Sequence, residues 1–502
     1  MQSFDMLIAS KWTRSGRLIP GPGDLVFAVV LGLVLVGGRH GLFNDPGTPW
    51  HLRLGREILS TGTVPRQDTL TFTHSGEPWV DQSWGFDLLL ATVVANWGWS
   101  AAIAMTAVGL AGLYAAMARG LVADGISPLV AVLVAILATA IGSIHFLLRP
   151  HLFTFVFFYM TLRACQKQHE RGGWDVFVVP IYTAILANLH GGFVALPVIV
   201  ATAGIGHAIS GRWDAPRRRN LLKFAAASGI SCLAALANPY GIGLYRHVGH
   251  LLVSSGVTSL IAEYQPAPFG KPDAEVMEWV LLALVGLPVV SSRRLDRYQL
   301  AHLIVWLHLA LTSIRNAPLF ALAAAPALAS LLDGLPISLR NSWKRDERVS
   351  IWPAAAAVVL LTLVACGVHL GGFDPKKWPL SAIATLDRQP TSARIFHEQD
   401  WGGFLEAECR PIRRSYLDDR FEIFGKEAIV EYLDTLNGGP VWDTVRDRDR
   451  IELVWLRPDR GLAKRLLKEP GWSVLYRDKV SILFARRAGE IPSADDGRMA
   501  RR

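Results

Sequence analysis

"NDPGTPWHLRLGREILSTGTVP" (residues 44–65) follows the first strongly apolar run of the chain and decides how the rest is read. Asp45, His51, Arg53, Arg56 and Glu57 fall within a few turns of one another in an otherwise oily half. Thr48 suits a helix N-cap and Pro49 the first helical position. Trp50, Leu54 and Ile58 then recur every four residues and form one apolar stripe. Arg53, Arg56 and Glu57 take the other side, and Gly62 and Pro65 stop the run. The spacing predicts a short amphipathic helix lying on a membrane, with Asp45 just ahead of its N-terminus. Asp-Pro is also a common turn pair, so a purely structural role for Asp45 stays open here.

The totals place this segment in a membrane protein. The chain has 502 residues, 51% hydrophobic and only 19% charged, with 17 Trp and 21 Phe. That composition excludes an ordinary soluble enzyme and fits a multi-pass membrane protein with one added soluble domain. The net charge of +9 does not point to nucleic acid. Its cations sit in short loops between apolar runs: Arg212, Arg217, Arg218, Arg219 and Lys223, then Arg293, Arg294 and Arg297, then Arg340, Lys344, Arg345 and Arg348. This is the positive-inside pattern, and no basic stretch is interleaved with base-stacking aromatics. Cys165, Cys232, Cys366 and Cys409 are scattered, which supports neither a disulfide framework nor a zinc site. Lys11, Arg14 and Arg17 precede the run at 24–38, and no small-residue cleavage site follows it, so that run reads as a retained first span.

Apolar runs lie at 22–38, 84–98, 100–120, 128–147, 151–166, 174–190, 191–210, 222–240, 275–291, 298–314, 316–332 and 351–371. Placing the N-terminus and the basic loops inside leaves no crossing for 84–98. As a helix that run is about 22 Å long, short of the roughly 30 Å hydrocarbon core. With Asp87 inside it and Trp97 and Trp99 at its end, it is expected at the interface. About eleven crossings remain. A first outer loop then covers 39–99, and "LRPH" (148–151), "NLHGGF" (188–193), "NPYG" (238–241), "AEYQP" (262–266) and "RNAP" (315–318) all emerge on the outer face.

Residues 1–371 therefore read as a transmembrane domain and 372–487 as an extracytoplasmic α/β domain, with 488–502 as a disordered tail. The second domain alternates a helical "KEAIVEYLDTLN", a strand-like "IELVWL", a helical "GLAKRLLKEP" and a hairpin "WSVLYRD–KVSILFAR". The acids of "LDDR", Asp418 and Asp419, are expected to make a salt-bridged turn with Arg420.

An acid in the first outer loop, the "HLRLGREILSTGTVP" helix and the "GEPWVDQSWGFDLLLA" interfacial helix together resemble the GT-C superfamily of membrane glycosyltransferases. Protein mannosyltransferases and aminoarabinose transferases are examples. The marks "NLHGGF", "NPYG" and "DDR" resemble a narrower group of bacterial multi-pass proteins. The resemblance implies an α-helical, GT-C-like multi-pass fold. It also implies transfer of a sugar from a polyprenyl-phosphate donor to an extracytoplasmic acceptor, with inversion. Asp45 would be the base that deprotonates the acceptor hydroxyl. Only Asp45 maps onto the family's acidic pair, because Pro46 and Gly47 stand where a second acid is expected. Metal use, as in oligosaccharyltransferases, would then need Asp68, Asp81 or Glu263 as further ligands, so a divalent cation remains open and no other cofactor is implied.

Arg149, His190 and Arg315 sit at the outer ends of three spans, where charge is costly and usually functional or paired. They are expected to meet the lipid phosphate, with His51, Glu263 and Tyr264 as further substrate contacts. The partners expected are the bilayer, the lipid-linked donor and a glycan, lipid or protein acceptor, and not nucleic acid. Chemistry on the outer face implies a bacterial inner membrane, a cytoplasmic N-terminus and a periplasmic C-terminal domain. Two other readings need the same bundle: a transporter or flippase for a lipid-linked or small solute, and a non-catalytic envelope assembly protein. A transporter should show paired halves with broken helices, and no internal repeat is visible.

Overall fold

The computed structural model describes residues 19–37, 40–254, 256–336 and 350–487. Expectations about Lys11, Arg14 and Arg17, about the basic loop at 340–348 and about the tail at 488–502 lie outside these residues. The chain forms two compact units. One comprises Met1–Leu42, Trp97–Gly241 and Ile261–Gly371, and the other Phe43–Asn96, Ile242–Leu260 and Gly372–Arg502. The polar opening segment thus folds with the C-terminal segment, far away in sequence.

Apolar helices build the first unit. Among the described residues four helices are long and apolar enough to cross a membrane: Trp84–Ala123, Pro128–His145, Gly191–Ile209 and Ile314–Asp333. Shorter apolar helices are Pro22–Gly37, Asp175–Leu186 and Trp352–Ala365. Length and apolarity alone therefore do not establish about eleven crossings. The helix Trp84–Ala123 is interrupted at Gly98 (φ 71, ψ 179), where the sequence separates an interfacial run from a spanning one. Glycine adopts that backbone readily because it has no Cβ. The helix Ala317–Asp333, "APLFALAAAPALASLLD", is buried along most of its length and packs on Arg297–Thr312 and Pro128–Gly142. Its alanines let neighbouring backbones approach closely, as small residues do in membrane bundles.

A four-stranded sheet anchors the second unit: β1 (Ile395–His397), β2 (Leu453–Leu456), β3 (Trp472–Arg477) and β4 (Ile482–Arg486), in the order β1-β2-β4-β3. β1 runs parallel to β2, and β3 and β4 form the antiparallel hairpin expected from their alternation. Trp378, Trp401, Phe404, Leu453, Trp455 and Leu483 fill the core beside the sheet.

The amphipathic helix of the opening segment spans Gly47–Thr61 and ends at Gly62, whose φ is 69. Trp50 and Leu54 pack with Leu70 and Trp79 in a small cluster, so the apolar stripe is buried within the protein. Two glycines set how closely the helix packs. A Cβ on Gly403 would sit 2.9 Å from the Pro46 carbonyl oxygen, and one on Gly55 would sit 1.9 Å from the Asp87 carbonyl oxygen. The second approach leaves no room for even a methyl group. Gly55→Ala is expected to cost about 1–3 kcal/mol through overpacking, read as a lower thermal midpoint of the purified protein. An unchanged midpoint would refute the close packing.

Candidate active site

The acids and histidines singled out in the sequence fall into separate groups. Asp45, His51, Asp68 and Asp81 belong to the second unit. Arg149, His190, Glu263, Tyr264 and Arg315 belong to the first.

Asp45 is buried, and its Oδ2 accepts hydrogen bonds from the Gly47 N–H (3.0 Å), the Thr48 N–H (2.9 Å) and the Thr48 hydroxyl (3.2 Å). It therefore caps the helix, the role the sequence suggested for Thr48. This satisfies two of the N–H groups that a helix leaves without internal partners and puts a negative charge at the positive end of its dipole. Asp45 also lines a cavity of about 450 Å³ whose wall includes Lys376, Lys377, Trp378, Arg457 and Lys479.

Behind it lie two buried polar networks. His51 is 2% exposed, and its Nδ1 lies 2.6 Å from Asp87 Oδ1. Asp81 and Asp87 share a hydrogen bond, and burial pushes the Asp81 carboxyl up to about 6, while the Ser83 N–H, Asp87 and Arg420 pull the other way. In the second network Arg420, 1% exposed, reaches two acids. Its Nε lies 2.9 Å from Asp418 Oδ2, and its Nη2 lies 2.8 Å from Asp68 Oδ1. The guanidinium also lies 4.6 Å from the centre of the Trp79 ring. Asp68 Oδ2 accepts from the N–H (3.1 Å) and hydroxyl of Thr71, and Trp50 Nε1 donates to Asp419 Oδ1. Burial, and then the charge of Asp418, push the nearby Glu406 carboxyl well above its ordinary range.

In the first unit the residues expected at span ends gather. Arg315 Nη1 lies 3.4 Å from Glu263 Oε2, and its guanidinium lies 5.0 Å from the centre of the Tyr264 ring. The turn carrying Glu263 is tied to the turn carrying Arg315, because Ser313 Oγ donates to the Glu263 carbonyl (3.0 Å) and Ile314 N to the Gln265 carbonyl (2.9 Å). His190 Nδ1 accepts from the Gly192 N–H (3.0 Å) and lies 2.7 Å from Thr154 Oγ1. A neutral ring accepting at Nδ1 carries its proton on Nε2, where it can donate. His151 places its ring 6.3 Å from that of His190 and donates from Nε2 to the His145 carbonyl (2.7 Å).

Burial raises the Glu263 carboxyl, but Arg315 and then Arg149 overcome it and bring it from 4.5 to about 2. A carboxyl held below its unfolded value stabilises the fold above that value and loses the contribution as pH falls through the folded one. The ion pair is thus fully present above pH 4.5 and fades as pH falls toward 2. Because the pair is only partly buried, its contribution is up to about 1 kcal/mol. Between pH 5 and pH 3 the wild-type thermal midpoint is expected to drop further than that of Glu263→Gln. Parallel curves would refute the pairing.

Three of the acids offered as metal ligands have other partners. Asp45 Oδ2 is engaged by three donors, Asp68 is paired with Arg420, and Glu263 is paired with Arg315. Among the described residues no group of three or more His, Cys, Asp or Glu is arranged to hold a metal. The sequence reading missed Asp87 as the partner of His51, and Thr154 and His151 as the neighbours of His190. A weak signal was present: each stands one helical turn or less from an apolar run's end, where an uncompensated polar group needs a partner.

The sequence matches no family model and no curated relative. Its fold is similar to solved structures. The apo crystal structure of the Archaeoglobus fulgidus oligosaccharyltransferase superposes with a TM-score of 0.52 at 13% identity, covering 94% of this chain and 74% of that one. Two structures of the mycobacterial arabinofuranosyltransferase AftD are also similar. One has a TM-score of 0.42 at 14% identity over 82% of this chain, and the other 0.45 at 16% over 92%. The chain spans only 35% and 41% of the length of those two. The chain thus shares its fold with that oligosaccharyltransferase.

Proposed function

We propose that this protein is an integral membrane glycosyltransferase that moves a sugar from a polyprenyl-phosphate donor to an extracytoplasmic acceptor with inversion. The reading takes the N-terminus as cytoplasmic, about eleven crossings, and a C-terminal α/β domain outside the membrane, as in a bacterial inner-membrane protein. The observation that supports it most is the gathering of Arg149, His190 and Arg315 with Glu263 and Tyr264 at the ends of apolar helices. Two guanidinium groups in one place offer forks of donors that match a phosphate, and the His190 Nε2 proton adds another.

The proposed chemistry is a single displacement. The acceptor oxygen attacks the anomeric carbon and loses its proton to Asp45. The bond from that carbon to the phosphate oxygen breaks, and the lipid phosphate leaves with the electron pair. Developing charge on the leaving phosphate is where preorganised cations contribute most.

The test supplies membranes containing the protein with a panel of labelled polyprenyl-phosphate sugars and acceptor extracts. The expected result is transfer of label with inversion at the anomeric carbon, read by NMR. Arg315→Gln should raise the KM for the lipid donor about tenfold, the scale of one charge-assisted contact. No transfer from any polyprenyl-phosphate sugar, or retention of configuration, would overturn the reading.

A further inference from the structure

The cavity beside Asp45 carries charge that the surrounding fold does not use. Its volume of about 450 Å³ lies within the range of small-molecule sites and has room for one or two sugar rings. The cations on its wall are not equivalent. Arg457 is committed, with Nη1 on Glu398 and Nη2 on Asp400, both at 2.7 Å. That pairing also accounts for Asp400. Lys377 Nζ donates to the neutral Asn44 Oδ1 at 3.0 Å, so its charge is held in place but not cancelled. Among the described residues Lys376 and Lys479 form no ion pair.

These lysines come from two rigid turns. Lys376 and Lys377 follow Asp374, whose carboxylate accepts the Lys376 N–H at 2.9 Å, and precede the core residue Trp378. Lys479 stands at the tip of the β3–β4 hairpin, where Asp478 Oδ1 accepts the N–H groups of Val480 (2.8 Å) and Ser481 (2.7 Å). Three lysines thus line one cavity with three acids: Asp45, partly engaged as a cap, Asp400, paired with Arg457, and Asp459. The hydrogen bonds of the turns fix the backbone that carries the lysines, and Lys377 Nζ is held on Asn44, so part of the ordering cost of binding is met beforehand.

We propose that this cavity is the acceptor site, and that the acceptor is a sugar bearing a negative charge, a carboxylate or a phosphate, held by Lys376, Lys377 and Lys479. The inference rests on the reading of Asp45 as the base: the charged group would anchor the sugar while a hydroxyl faces Asp45. Asp459 would accept from another hydroxyl. With a neutral glycan the three lysines would outnumber Asp45 and Asp459 on the same wall, leaving an excess of positive charge.

Direct binding tests this without turnover. The full-length protein in detergent is titrated with a glucuronate-containing disaccharide, its all-glucose counterpart and glucose 6-phosphate, followed by calorimetry. The charged sugars are expected to bind at least about tenfold more tightly than the neutral one, with the gap narrowing as salt rises. The relative strengths of the uronate and the phosphate identify which anion the site takes. Lys376→Gln/Lys479→Gln should erase the preference and leave neutral binding alone, and exposed lysines are safe to change without unfolding the protein. Equal binding of charged and neutral sugars, no binding of either, or a preference untouched in the double variant would overturn the proposal. Asp45→Asn run alongside separates the two readings. Retained transfer activity in that variant removes the base, whereas lost sugar discrimination in the lysine variant's parent removes the anionic site.

Discussion

Arg420→Met is expected to destabilise the protein by about 3–5 kcal/mol, the cost of leaving a buried charge without its partner. Arg420 is 1% exposed and is the cation that meets both Asp68 and Asp418. Methionine fills much of the same volume, so the loss is mainly electrostatic. Two carboxylates would be left facing each other in a dry site beside Glu406, which is already pushed toward its neutral form. Stacking over Trp79 would go as well. The measurement can use the molecule's own thiols. Cys409 is buried in the core beside the sheet, while Cys232 and Cys366 are exposed. In a Cys165→Ala/Cys232→Ser/Cys366→Ser background, reaction of Cys409 with a thiol dye reports opening of this unit. The midpoint of that reaction on heating should fall sharply in Arg420→Met and only in part in Arg420→Lys, which keeps the charge and loses the fork. A midpoint unchanged in Arg420→Met would mean the cluster contributes little.

Asp45→Asn is expected to lower transfer by about a hundredfold to ten-thousandfold, the usual contribution of a general base. The choice of asparagine matters. Asparagine caps helices about as well as aspartate, so the bonds to Gly47 and Thr48 persist and the helix stays in place. Only the carboxylate proposed as the base is lost. Asp45→Ala would remove both functions and cost about 1 kcal/mol of stability besides. Near wild-type transfer by a well-folded Asp45→Asn variant would leave Asp45 as a cap alone.

What the sequence disclosed and what it hid divide by distance along the chain. The helix at Gly47–Thr61 was legible because its stripe and its stop lie within fifteen residues. The cap was assigned to Thr48 instead of Asp45, since both are good caps and the choice depends on one residue of backbone. The hairpin of β3 and β4 followed from alternation, and the break at Gly98 fell where two apolar runs met. The pair of Asp68 and Arg420 was out of reach, because it joins positions 352 residues apart with no local pattern. "LDDR" could be read as a salt-bridged turn, and Asp418 and Arg420 do pair, but nothing nearby announced the third member. His51 was read as a substrate contact because it is polar in a loop-like stretch. Its actual partner, Asp87, stands in the run whose acid had served only as evidence against a crossing.

The Asp68–Arg420 pair also sets an order of events in synthesis. A ribosome adds about 5–20 residues per second, so Asp68 emerges roughly 20–70 s before Arg420 exists. During that interval the opening segment holds an acid whose buried partner has not been made, and the pocket beside Asp45 lacks the turn that carries Lys479. The first loop therefore reaches its final packing only after the last domain is translated. A nascent chain stalled ahead of residue 420 would hold Asp68 without the guanidinium that pairs it, in a first loop short of its final packing.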